Sequence, residues 1–207
     1  MSVVKSPSGL YSVHPGLGMV EKWKNELTQK TGRSLDGWVA FVKKAGPATE
    51  RERREWLKNE HKLGTNSAWW IAERAEGKGM EESPEGYLKA AEGWVEAMFS
   101  GRRAELRPAY NQLLKVALAV SKDVKACPGK TAVALYRNHV FAQIKPSTNS
   151  RIDMGLALGN MKTPKRLIDT GGYEKKDRIT RRIEVKSTTD INDDLKRWLK
   201  KAYELDE

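Results

Sequence analysis

The sequence predicts an α+β fold, with an N-terminal small helical bundle followed by a C-terminal antiparallel sheet flanked by helices. Three observations predict it. Apolar residues recur at three- and four-residue intervals up to about residue 121, the period of a helix buried on one face. From Thr131 they alternate, the period of a half-buried strand. Tryptophan is concentrated between Pro15 and Ala75, where large aromatics can anchor a small helical core. The modules are expected over residues 14–76 and 84–205, joined through Gly77-Lys78-Gly79 and Glu81-Glu82-Ser83-Pro84.

The elements follow in order. Met1 to Val13 reads as a flexible tail. A first helix has Pro15 near its start and Val20, Trp23 and Leu27 on one face, and Thr31-Gly32 stops it. Ser34 caps a second helix, whose apolar face is Leu35, Trp38, Val39 and Val42 and which ends at Gly46-Pro47. Thr49-Glu50-Arg51-Glu52 is a capping box for a third helix through Trp56 and Leu57 to about Lys62, with Gly64 as its left-handed terminator. A fourth opens at Thr65 or Asn66 and carries Ala68, Trp69, Ile71, Ala72 and Ala75. A fifth spans about Pro84 to Phe99, with Tyr87, Leu88, Ala91, Trp94, Val95 and Met98 as its stripe, and a sixth about Pro108 to Ser121.

Strands are expected at Thr131–Tyr136, Val140–Ile144, Arg151–Leu158 and Ile179–Val185, with a turn at Arg137-Asn138-His139. Asp190, with Asp193 three residues on, opens a last helix on Ile191, Leu195, Trp198, Leu199 and Ala202.

With 39% hydrophobic and 31% charged residues the chain is globular rather than disordered. The formal charge of +11 is uneven: residues 1–80 carry +5, 81–120 carry −1 and 121–207 carry +7. Such a balance speaks to polyanionic partners and solubility, not to fold. The single cysteine, Cys127, excludes an intramolecular disulfide and a cysteine-rich zinc site, and fits a reducing compartment. The opening MSVVKSPSGLYSVHPG lacks the charged, apolar and small-residue parts of a signal peptide, and no stretch approaches the length of a membrane span. A cytoplasmic protein with no membrane association is expected.

One charge cluster stands out. Lys162, Lys165, Arg166, Lys175, Lys176, Arg178, Arg181, Arg182 and Lys186 oppose only Asp169, Glu174, Asp177 and Glu184, net +5. Phosphate backbones reward such clusters by counterion release. Lys and Arg also blunt sheet edges, so a solvated loop and edge strand is the plain alternative. Lys43, Lys44, Arg51 and Arg54, with Arg53, form a second basic group in the helical module.

Other motifs compete with plain structural roles. Glu50–Leu63, Gly64 and Thr65–Ala75 have the order of a helix-turn-helix, which would present Thr65, Asn66 and Ser67 to bases. Glu60 and His61 before the turn and bulky Trp69-Trp70 favour plain bundle packing through Trp56, Trp69 and Ile71. Cys127-Pro128-Gly129-Lys130-Thr131 ends like a phosphate-binding loop, but Val124 stands where a glycine is needed and a strand follows, which argues against an NTPase. Cys127 lacks an assignable His partner and reads as a buried structural residue, although Lys125 and Lys130 could lower its pKa.

Asp153 with Glu184-Val185-Lys186 copies the acid…E-x-K layout of metal-dependent nucleases. Against it, Ile183 and Val185 should face the core and turn Glu184 and Lys186 to solvent. Asp153 and Glu184 are then expected to pair with arginines rather than meet around a metal. His14, His61 and His139 have no ligand spacing, so no metal site and no cofactor are assigned.

Two stretches resemble known families. HPGLGMVEKWKNELTQKTGRSLDGWVAFVKKAGPATERERREWLKNEHKLGTNSAWWIAERA resembles the bacterial domain-of-unknown-function family numbered 4287. YLKAAEGWVEAMFSGRRAELRPAYNQLL, DVKACPGKTAVALYRNHVFAQIKPSTNSRIDMGLAL and DINDDLKRWLKKAY resemble the family numbered 5655. KTGRSL, AWWIAE, CPGKT and FAQIKPS are the most specific strings. The resemblance implies a bacterial protein with these two modules in this order and carries no functional residue across. The expected function is therefore a non-enzymatic binding protein for DNA or RNA. An enzyme or small-ligand protein with a pocket between sheet and helices, and a protein–protein adaptor, are the alternatives.

Overall fold

A computed structural model describes residues 6–162 and 164–207. The chain divides into two compact units, one of His14–Tyr87 and one of Leu88–Glu207 together with the described residues before His14.

The first unit holds helices α1 (Leu17–Thr31), α2 (Leu35–Ala45), α3 (Glu50–Asn59) and α4 (Thr65–Ala75). Their ends follow the local chemistry. The His14 ring accepts from the Gly16 amide at 3.0 Å just before α1, and Gly32 closes α1 at φ 67°. Ser34 accepts from the Gly37 amide at the start of α2, and the Thr49–Glu52 capping box forms with both of its bonds. The α3–α4 turn differs from expectation. Lys62 takes the left-handed conformation at φ 54°, while Gly64 is extended at φ −65° and forms the N-cap of α4. α3 therefore ends at Asn59, before the turn, and not at Lys62.

Leu27, Leu35, Trp38, Val42, Leu57, Ile71 and Ala72 form the core of this unit. The Trp38 indole donates to Thr31 Oγ1 at 2.9 Å, and Arg33 lies 4.6 Å over the Trp38 ring and 4.3 Å over Phe41. His61 is enclosed edge-to-face by Trp56, Phe41 and Trp38 at 4.4–5.5 Å, and its buried Nε2 has no hydrogen-bond partner among the described residues. Trp70 packs on Trp23 at 4.2 Å, whereas Trp69, expected inside, is 38% exposed. Ala68 and Ile71 fill the inward face instead, turning the neighbouring Trp69 outward.

In the second unit a six-stranded antiparallel sheet has the order β1-β2-β3-β4-β6-β5. The strands are β1 (Lys125–Pro128), β2 (Val133–Tyr136), β3 (Val140–Pro146), β4 (Ile152–Leu156), β5 (Ile168–Asp169) and β6 (Arg181–Val185). The sequence predicts only four. β1 and β5 are short and lack an alternating run of their own, and pairing with β2 and β6 defines them. Register places Val133, Ile144, Met154 and Ile183 in one row and Gln143, Gly155 and Arg182 in the next. The first row is buried, and α6 (Arg107–Leu118) and α7 (Asp193–Glu204) pack against β3. α7 begins at Asp193 rather than Asp190, with the Asn192 side chain accepting from the Leu195 amide. Asp190 instead closes a short three-ten turn behind Ser187. Helix α5 (Pro84–Met98) contains the unit boundary.

Residues 6–13 are not a loose tail, and residues 1–5 lie outside the described residues. The Ser12 amide donates to the Ala126 carbonyl at 2.9 Å, extending the sheet beside β1. Tyr11, 4% exposed, joins its hydroxyl to that of buried Tyr110 at 2.9 Å. Short-range periodicity cannot show this, because the partners stand about a hundred positions away.

Candidate nucleic-acid interface

The basic cluster separates by residue type. Its arginines are engaged within the fold. Arg166 donates to Asn192 at 2.8 Å and to the Asp190 carbonyl at 2.8 Å, and pairs with Asp194 at 3.2 Å. Arg178 pairs with Asp206. Arg181, 8% exposed, donates to the Thr180 and Met161 carbonyls and pairs with Asp169 at 2.9 Å. Arg182 reaches Glu184 at 2.8 Å and Asp153 at 2.9 Å, which raises its pKa further.

Lys162, Lys165, Lys175 and Lys176 are exposed, and none makes an ion pair among the described residues. All four lie on the long connection from β4 to β6. The connection is pinned at several points. Leu167 is buried, the Thr170 hydroxyl donates to the Ile179 carbonyl at 2.8 Å, and the Asp177 amide donates to the Gly172 carbonyl at 2.8 Å. At Gly172 a Cβ would stand 2.3 Å from the Ile179 oxygen, so only glycine fits there. The loop so closed presents Tyr173, 51% exposed, together with Lys176 at φ 58°. Tyr173, Lys176, Gly159, Met161 and Leu205 border an open cleft of about 870 Å³, with Glu174 and Asp177 also on its rim.

The helical unit offers less. Lys43, Lys44 and Arg51 are exposed and without ion pairs among the described residues, whereas Arg54 is bonded to Glu50 at 2.8 Å and Arg53 to the Pro47 carbonyl. Thr65 and Asn66 at the start of α4 are exposed, but the Ser67 hydroxyl accepts from the Trp23 indole at 3.3 Å.

Asp153 and Glu184, expected to pair with arginines rather than meet around a metal, are direct partners across β4 and β6. Arginines occupy the space a metal would need. Arg182 bonds both carboxylates, Arg151 Nη1 lies 3.0 Å from Glu184, and Arg151 Nε lies 2.9 Å from Asp153 without hydrogen-bond alignment. Lys186 is exposed, and no group of three or more His, Cys, Asp or Glu able to hold a metal occurs among the described residues. Cys127 is buried, its sulfur faces the Val13 carbonyl at 3.7 Å, and burial pushes the thiol up to about 12 despite Lys125. It is a protonated packing residue at neutral pH. His139 bonds Asp206 instead of a metal partner.

These features define a two-unit α+β protein in which the unmatched positive charge of the Lys162–Lys186 cluster is carried by lysine. The model for the domain of unknown function (DUF5655) matches residues 95–206, more than half of the chain, and that for the domain of unknown function (DUF4287) matches residues 22–77. The chain thus belongs to the DUF5655 family and carries a DUF4287 domain ahead of it. No curated protein and no solved structure matches it. No helix among the described residues is long and apolar enough to cross a membrane.

Proposed function

We propose that the protein is a non-enzymatic binding protein for nucleic acid, acting in the bacterial cytoplasm, with single strands held on the β4–β6 connection. The observation that carries this reading is Tyr173, exposed and lining one cleft with Lys176, on a connection that carries four exposed lysines without ion pairs among the described residues. Aromatic faces stack bases without regard to sequence, and lysines track the phosphates. Lysine suits the second task because its compact charge moves freely, whereas the arginine forks here are fixed on carboxylates and carbonyls. Glu174 and Asp177 partly offset the lysines, so the expected binding is weak and strongly salt-dependent. The one buried, unpaired cysteine fits a reducing compartment.

Replacing Lys162, Lys165, Lys175 and Lys176 together by Gln should flatten the salt dependence of single-strand binding. The log–log slope should fall by about 0.7 for each phosphate that a lysine no longer neutralises. Tyr173→Ala should weaken binding by about 1–3 kcal/mol if it stacks one base. An unchanged slope in the quadruple variant would eliminate this surface and leave Lys43, Lys44 and Arg51 as the next candidates.

A further inference from the structure

A second group of unmatched cations meets at one end of the sheet, in a cleft that none of the four lysines of the β4–β6 connection lines. Lys130 and Thr131 lie in the turn between β1 and β2, Lys145 and Ser147 lie at the end of β3, and Arg103 lies in the three-ten turn Gly101–Leu106. All five line one cleft of about 390 Å³. Strand register explains the meeting. Val133 pairs with Ile144, so the residues just before Val133 come alongside those just after Ile144. The CPGKT and FAQIKPS strings, distant in sequence, thus place their Lys-Thr and Lys-Pro-Ser ends around the same space.

The chemistry of the lining is one-sided. Three cations and two hydroxyls face the cleft, and no carboxylate lines it. Arg107 is matched by Glu96 and Arg151 by Asp153 and Glu184, while Arg103, Lys130 and Lys145 make no ion pair among the described residues. Lys130 and Lys145 are exposed and Arg103 is half-buried, so all three can reach a ligand. Unmatched like charges gathered on one concave surface repel one another and are relieved by a multiply charged anion. A phosphate monoester supplies close to two negative charges and three acceptor oxygens, suited to an arginine fork and to lysine ammonium groups. β2 follows Thr131, so no helix N-terminus aims at the ligand and the arrangement is not a nucleotide-hydrolysing loop.

We propose that this cleft binds a phosphate monoester group, with Arg103, Lys130 and Lys145 as its cationic contacts and Thr131 and Ser147 as hydroxyl donors. None of Lys162, Lys165, Lys175 and Lys176 lines it, so this site and the single-strand surface can fail independently.

Titration calorimetry on the full chain with inorganic phosphate and with adenosine 5′-monophosphate tests it. Both should bind, acetate should not, and Lys130→Gln, Lys145→Gln and Arg103→Gln should each weaken binding about tenfold. Lys22→Gln, which removes one charge from the exposed side of α1, should leave it unchanged, and unchanged melting temperatures should accompany all four variants. Oligonucleotides with a 5′-phosphate and a 5′-hydroxyl identify the source. Preference for the phosphorylated end assigns a nucleic-acid terminus, and equal binding of the two assigns a small phosphate ester. No binding of either phosphate compound, equal binding of acetate, or full affinity in Lys145→Gln overturns the proposal.

Discussion

The two units manage positive charge differently. In the helical unit four of the seven cations with ion pairs among the described residues meet acids one turn away, Lys24 with Glu21 at 2.6 Å, Lys30 with Glu26 at 3.3 Å, Arg54 with Glu50, and Lys58 with Glu55, while Arg53, Arg74 and Lys78 reach farther. In the sheet unit the arginines reach far along the chain, Arg166 to Asp194, Arg178 to Asp206 and Arg182 to Asp153, each separated by 28 or 29 residues. Pairs of the first kind decorate helices that would form without them. Pairs of the second kind tie strands, turn and C-terminal helix together, and within the Lys162–Lys186 cluster they leave lysine as the charge available to a partner.

The sharpest way to break this comparison is at Asp206. Its side chain, 2% exposed, accepts from the Asn138 and His139 amides at 3.1 and 2.8 Å and pairs with Arg178, clamping the β2–β3 turn to the end of α7. Asp206→Ala should destabilise the sheet unit by about 2–3 kcal/mol, because it removes the buried acceptor of two turn amides at once, while the half-exposed Arg178 returns to water. Denaturant unfolding read by amide exchange in β2 and β3 measures the loss, and amides of α1–α4 should be unaffected. Burial pushes the Asp206 carboxyl up, but the His139 amide, the Arg178 charge and the His139 ring outweigh it and hold the pKa below its ordinary value. A lowered folded pKa means stabilisation that is full above the ordinary carboxylate range and is lost as pH falls below it. The acid limb of the stability curve should therefore flatten in Asp206→Asn.

A smaller effect is expected at Tyr11. Tyr11→Phe leaves the Tyr110 hydroxyl buried without its partner, at a cost of about 1–2 kcal/mol. Burial pushes both phenols up, so this bond should persist unchanged through neutral pH. The loss should register in the sheet unit, although Tyr11 precedes the helical unit in sequence. A loss felt in α1–α4 instead would undo the assignment of residues 6–13 to the sheet.

These two sites also show where the sequence is legible. Helix starts at Ser34 and Thr49 and the alternation in β2, β3, β4 and β6 are readable, because capping and period are properties of a few adjacent residues. The edge bridge at Ser12, the short strands β1 and β5, and the clamp at Asp206 are not, because each depends on a remote partner. The same limit applies to the basic surface. Lys162–Lys186 is recognisable as a cluster, but which of its members are matched depends on Asp153, Asp194 and Asp206, outside that cluster. The cleft of Arg103, Lys130 and Lys145 is invisible in the sequence for the same reason, since its cations come from three separate segments.

The smallest expected effect tests the other side of the comparison. Arg54 and Glu50 sit one turn apart on α3, whose capping box and buried Leu57 are independent of them. If the local pairs only decorate their helices, Arg54→Gln should cost no more than about 0.3–0.5 kcal/mol, within the range of a single helical ion pair. The Glu50 carboxyl is held low chiefly by its hydrogen bond to Arg54, against a small opposing effect of burial. Its pKa should rise toward the ordinary value in the variant, which carbon-detected NMR titration can follow. A raised pKa with little change in stability is the signature of a pair that exists without holding the fold. A loss above about 1 kcal/mol would place Arg54 among the structural arginines, and the contrast between the two units would then lie in the distance their pairs span rather than in the stability those pairs supply.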